Sequence, residues 1–105
     1  FFMKKIITFI FFLHFFMYHS LYADESYNKG KEIFIGDGNC STCHSLSDAG
    51  SNAQIGPNLN EIKPDTMRVM MAVKNGIGVM PAYDGILTQS EIEAVSLYVS
   101  ESSIK

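Results

Sequence analysis

The stretch GNCSTCHSLS, Gly38 to Ser47, holds the chain's only two cysteines, Cys40 and Cys43, with His44 directly after the second. Four uses of such a cluster compete. A thioredoxin-like redox pair calls for a strand-helix-strand setting, and no such pattern surrounds it. A structural zinc ion takes about four ligands. The remaining histidines, His14 and His19, lie in an N-terminal segment with the layout of a removable leader. A disulfide between Cys40 and Cys43 closes a very small ring and constrains little of the unfolded chain. The fourth use is covalent haem attachment, which Cys-x-x-Cys-His signals. There each thiol adds to a vinyl group as a thioether, and the adjacent histidine ligates the iron.

The start of the chain bears on where such chemistry takes place. Lys4 and Lys5 form a positive patch, Ile6 to Tyr18 is an apolar run, and Ala23 ends a stretch suited to cleavage. This is the layout of a secretory signal peptide over residues 1–23. A spanning helix needs about 20 apolar residues, more than the run from Ile6 to Tyr18 supplies; a retained anchor is the alternative. Removal leaves residues 24–105 as one domain. Eleven acidic residues then face six basic ones, the chain's eight less Lys4 and Lys5, for a net charge of −5. That balance argues against nucleic acid and anionic membrane surfaces as partners. An oxidising compartment would also oxidise free thiols, which thioethers escape.

Three helices are readable in residues 24–105. The first runs from about Ser26 to Ile35, with Tyr27, Gly30, Ile33 and Phe34 at helical spacing and Ser26 as a cap. Gly36, Asp37 and Gly38 break it. The second is Thr66 to Lys74, with Pro64 and Asp65 at its start and Gly76 as a left-handed exit. The third opens with the capping box Thr88-Gln-Ser-Glu91 and continues through Ile92, Val95, Tyr98 and Val99. Strand patterns are lacking. The span between His44 and Pro64 has no periodicity, which suits a loop wrapped around a cofactor better than one crossing solvent.

Several pieces together resemble the small class I c-type cytochromes of bacteria. They are GKEIF at 30–34, CSTCH at 40–44, IGPNL at 55–59, NGIGVMPAY at 75–83 and SLYVS at 96–100, in the family's order. The stretch from Ser45 to Tyr83 is more loosely similar to the cytochrome subunits that accept electrons from periplasmic dehydrogenases, sulfite-oxidising ones among them. The resemblance implies an all-α cytochrome c fold: three or more helices and a long loop around one covalent haem c. It implies that Cys40 and Cys43 hold the haem and that His44 and Met80 ligate the iron. It further implies that the Pro57 carbonyl accepts a hydrogen bond from the other ring nitrogen of His44.

Each role has a physical reason and a plainer competitor. Two thioethers fix one haem edge, so the next residue can turn its imidazole to the iron; the competitor is an exposed histidine. Met80 offers a soft, neutral sulfur that favours ferrous iron and raises the reduction potential. Its competitors are Met67, Met70 and Met71 on the middle helix, or a plain core methionine. Pro81 pushes Met80 to an extended conformation, and Gly76 and Gly78 allow backbone close to a flat cofactor. Pro57 presents a carbonyl without a donor of its own, though a simple turn explains Gly56-Pro57-Asn58 as well. Gly30, Phe34 and Tyr98 read as packing between the first and last helices, and Tyr83 and Asn58 as further residues near the haem.

The expected function is a periplasmic monohaem carrier of single electrons between redox proteins, a dehydrogenase donor and an oxidase or cytochrome acceptor, without catalysis. The alternatives are a haem subunit tightly bound to one dehydrogenase, a gas-binding haem sensor and a thiol oxidoreductase.

Overall fold

The computed structural model describes residues 2–105, and its elements are helical apart from one small hairpin. α1 spans Phe2–Ile35, α2 Leu59–Ile62, α3 Thr66–Asn75 and α4 Gln89–Ser102. β1 (Ser45–Leu46) and β2 (Ser51–Asn52) pair antiparallel, Ser45 opposite Asn52 and Leu46 opposite Ser51.

The expected cap at Ser26 is not there. No glycine or proline interrupts the chain before Gly30, so the apolar run and the first predicted helix form one continuous α1. Its first two thirds are exposed, from Phe2 to Tyr22. By length and composition alone this helix is sufficient to cross a membrane. His14 and His19 place their Nδ1 atoms 3.0 Å from the carbonyls of Ile10 and Phe15 on the same helix, well away from Cys40 in sequence.

The last turns of α1 build the core. Gly30 is buried where α1 crosses α4: a Cβ there would stand 2.1 Å from the Ala94 carbonyl oxygen and 2.6 Å from Tyr98 Cβ. Only bare backbone permits that approach. Tyr98 is fully buried and meets Tyr27 and Phe34 edge-on, with ring centroids 5.0 and 5.7 Å apart. Ile33, Ile92, Val95 and Val99 complete the seam, and Val69 and Val73 bring α3 onto it.

The helix starts follow the sequence signals. Asp65 Oδ1 accepts from the Arg68 amide at 2.8 Å at the head of α3. At α4, Thr88 and Glu91 bond each other's amides at 3.0 and 3.2 Å. Gly76 ends α3 with a positive φ of 73°, but its ψ of 163° is extended, not left-handed helical. The chain therefore leaves α3 straight into the Met80 turn.

The span between His44 and Pro64 is more structured than its lack of periodicity suggested. The hairpin buries Leu46, and α2, capped by Asn58, buries Leu59. Elements of two to four residues are too short to show a period.

Candidate haem-binding site

After α1, the amides of Gly36 and Gly38 bond the Glu32 and Ile33 carbonyls at 2.8 Å each. Asn39 then turns left-handed (φ 53°) into a single 3-10 turn, Cys40–Thr42. Residues three apart eclipse in such a turn, so the coil brings positions 40 and 43 to one side. The Cys43 and His44 amides both bond the Cys40 carbonyl, at 3.1 and 2.9 Å. Both thiols are free and half-buried. Burial pushes the Cys40 thiol up to about 11, with Cys43 adding to the rise. A thiol held that way ionises little near neutral pH and suits a redox pair poorly.

His44 is held from three directions. Its carbonyl accepts from Ser51 Oγ at 2.8 Å, and the Gly56 amide bonds the Cys43 carbonyl at 2.7 Å. Its ring lies against Gly56, where a Cβ would come within 2.7 Å of Cε1. Its Nδ1 stands 2.8 Å from the Pro57 carbonyl. A carbonyl only accepts, so Nδ1 carries a proton and donates. The loop after the hairpin thus fixes the orientation of the His44 ring through Nδ1.

Met80 is half-buried against the core and sits in a tight turn, its amide on the Ile77 carbonyl (2.9 Å) and its carbonyl on the Ile77 amide (3.2 Å). Gly76 makes that turn possible, because a Cβ would meet the Met80 carbonyl at 2.7 Å. On α3, Met67 and Met71 are mostly exposed, while Met70 is half-buried against the core.

The Met80 turn is tied to the cysteine segment by Tyr83, whose amide bonds the Val73 carbonyl at 2.8 Å and whose hydroxyl donates to the Gly38 carbonyl. Asn58 accepts from the Asn60 amide at 2.9 Å as the α2 cap. So the structure joins Pro57 to His44, and Met80 to Cys40 by way of Tyr83 and Gly38. Sequence reading missed Asn60, which accepts from the Ser47 amide at 2.8 Å and donates to the Ser103 carbonyl at 3.2 Å. A polar residue within an aperiodic span carries no local sign of a partner 43 positions away.

The residues present fit a haem. They supply two thiols on one turn, an oriented imidazole and a thioether on a second loop. Ile55, Ile77 and Val79 flank these loops with their side chains largely exposed, Val79 at 95%. A large flat apolar group gives such side chains something to cover. Among the described residues no three His, Cys, Asp or Glu side chains converge as a metal site.

Residues 25–99 match the family model described as cytochrome c oxidase, cbb3-type, subunit III. The chain is 32% identical over 82 residues to cytochrome c6 of Chlorolobion braunii, covering 70% of this chain and 88% of that protein. It is 34% identical over 76 residues to the cbb3-type cytochrome c oxidase subunit FixP of Bradyrhizobium diazoefficiens, covering 68% of this chain but only 26% of FixP. The crystal structure of the c-type cytochrome SorU from Sinorhizobium meliloti superposes with a TM-score of 0.72 at 50% identity, over 76% of this chain and 93% of SorU. On these grounds the chain belongs to the small class I c-type cytochromes, all-α proteins with a covalently attached haem c.

Proposed function

We propose that the chain is an extracytoplasmic monohaem carrier of single electrons. Cys40 and Cys43 would hold the haem covalently as thioethers, His44 Nε2 and the Met80 sulfur would ligate its iron, and the Pro57 carbonyl would orient His44. The observation that carries this reading is the 2.8 Å contact from His44 Nδ1 to Pro57, immediately beside the only two cysteines. An acceptor of this kind fixes the ring and raises its basicity as a ligand. When bound, the haem supplies the one-electron couple; the chain sets its ligation, exposure and docking. With His44 and Met80 both holding the iron, no ligand position would remain for substrate, so the expected function is transfer between redox proteins.

Residues 1–23 act as a signal peptide, cut after Ala23. The two lysines, the apolar run and a family match that begins at residue 25 support this boundary. A second reading, a haem subunit tightly bound to one periplasmic dehydrogenase such as a sulfite-oxidising one, draws on the likeness of residues 45–83 to such subunits. Intact mass of the exported protein tests the first reading: the peptide from Asp24 plus one haem is expected. A bare-peptide mass contradicts the tethering, and a retained N-terminus contradicts the cleavage. Native size in the source extract separates the two readings, since a free carrier runs as a small monomer.

A further inference from the structure

The loop from Gly76 to Leu87 is fastened to α3 and to itself by backbone bonds: Tyr83 N–H to Val73, Asp84 N–H to Lys74, and Ile86 and Leu87 N–H to Tyr83. None of these reaches the cysteine segment. The hydroxyl of Tyr83 does, donating to the Gly38 carbonyl at 2.5 Å across 45 positions of chain. Gly38 is buried and pinned by its own amide to Ile33, so its carbonyl is a fixed point. That same oxygen also receives the Cys40 thiol at 3.6 Å. Conversion of Cys40 to a thioether removes the sulfur's hydrogen, and Tyr83 then remains as the side-chain donor to this carbonyl.

We propose that Tyr83 is a positioning residue, a latch between the loop bearing Met80 and the segment bearing Cys40 that keeps the Met80 sulfur on the iron. The proposal rests on Met80 being the sixth ligand. Its physical content is that the loop opens by swinging away from the cysteine segment, and that opening requires the Tyr83 hydroxyl to leave Gly38. Replacing the hydroxyl by hydrogen keeps the ring's packing and removes only the latch. Loss of one hydrogen bond of ordinary strength shifts such an opening equilibrium by about tenfold.

The test uses the haem-loaded protein and its Y83F variant. Oxidised iron bound to a methionine sulfur has a weak near-infrared charge-transfer band. Carbon monoxide binds the reduced protein only when the methionine leaves. In Y83F the band is expected to persist at room temperature and neutral pH but to disappear at a lower temperature than in wild type. Carbon monoxide should combine roughly tenfold faster. Tyr27→Phe serves as control: that hydroxyl meets Lys105 Nζ at 2.6 Å, far along the chain from the Met80 loop. It is expected to leave both readouts unchanged. If Y83F loses global stability but keeps the wild-type carbon monoxide rate and band, Tyr83 is a packing residue and the latch is overturned. If wild type itself lacks the band and binds carbon monoxide freely, the Met80 ligation fails and takes the latch with it.

Discussion

A methyl group added at Gly30 would press 2.1 Å from a backbone oxygen of α4, whereas one added at Gly56 would meet the ring of His44 at 2.7 Å. The first neighbour belongs to a helix and cannot yield alone; the second is the end of a side chain. The contrast holds for the regions around them. Where α1 crosses α4, Tyr98, Phe34 and Val95 are wholly buried and side-chain packing closes the core. In the loops carrying His44 and Met80, backbone bonds and a few polar donors fix the chain, while Ile55, Ile77 and Val79 stand exposed. The crossing is completed by protein. The loops are shaped to receive something apolar, so their rigidity depends more on the bound haem than that of the crossing does.

The largest effect expected is at the crossing. Alanine is the better helix former by about 1 kcal/mol, but overpacking against a backbone oxygen costs about 3 kcal/mol. Gly30→Ala should therefore lose about 2 kcal/mol, read from the denaturant midpoint. A neutral result would mean that the crossing is as pliable as the loops.

Tyr98→Phe should cost about 1 kcal/mol. The Tyr98 hydroxyl donates to Asp48 Oδ2 at 2.8 Å, which Lys31 also approaches at 3.2 Å. The Tyr98 bond is the main cause holding the Asp48 carboxyl below its ordinary 3.8, with Lys31 and Lys105 adding to it. A carboxyl lowered in the folded state stabilises above its unfolded value, and that part is lost as pH falls through the folded value. The gap between wild type and Tyr98→Phe should thus be full at neutral pH and narrow below about pH 4. A gap independent of pH would place the hydroxyl's contribution elsewhere.

Gly56→Ala is expected to be nearly neutral in stability. The lost backbone freedom of the unfolded chain contributes about 0.4–1 kcal/mol, which offsets the roughly 1 kcal/mol hydrogen bond to Pro57 that the ring gives up when it tilts away. Its effect should show instead in the orientation of His44, read from the paramagnetically shifted resonances of the oxidised protein. A stability loss as large as that of Gly30→Ala would erase the distinction between the two regions.

Sequence reading succeeded where a signal is local. The capping box at Thr88 and Glu91, the Asp65 start of α3 and the helical faces of Ile33, Phe34, Val95 and Tyr98 all depend on neighbours within a turn or two. The close approach at Gly30 was legible because that glycine shares a helical face with Tyr27, Ile33 and Phe34. The hairpin at Ser45–Asn52 and the helix at Leu59 were not, because pieces so short show no period and are held in part by Asn60 bonds to backbone 13 and 43 positions away. The continuity of α1 was missed for a different reason: a leader and a helix start were read as separate units, although nothing in the residues between them breaks a helix.

The ligation by Met80 is the point on which the functional account turns, and the near-infrared charge-transfer band of the oxidised protein reads it directly. The band should be present in wild type and absent in Met80→Ala, with a lower reduction potential because a neutral donor favouring ferrous iron is gone. Met70→Leu, the half-buried alternative on α3, should keep the band, since that change nearly conserves volume. A band that survives in Met80→Ala and vanishes in Met70→Leu would contradict the assignment, and would make the Gly76–Pro81 turn a cover over the haem instead of the carrier of its ligand.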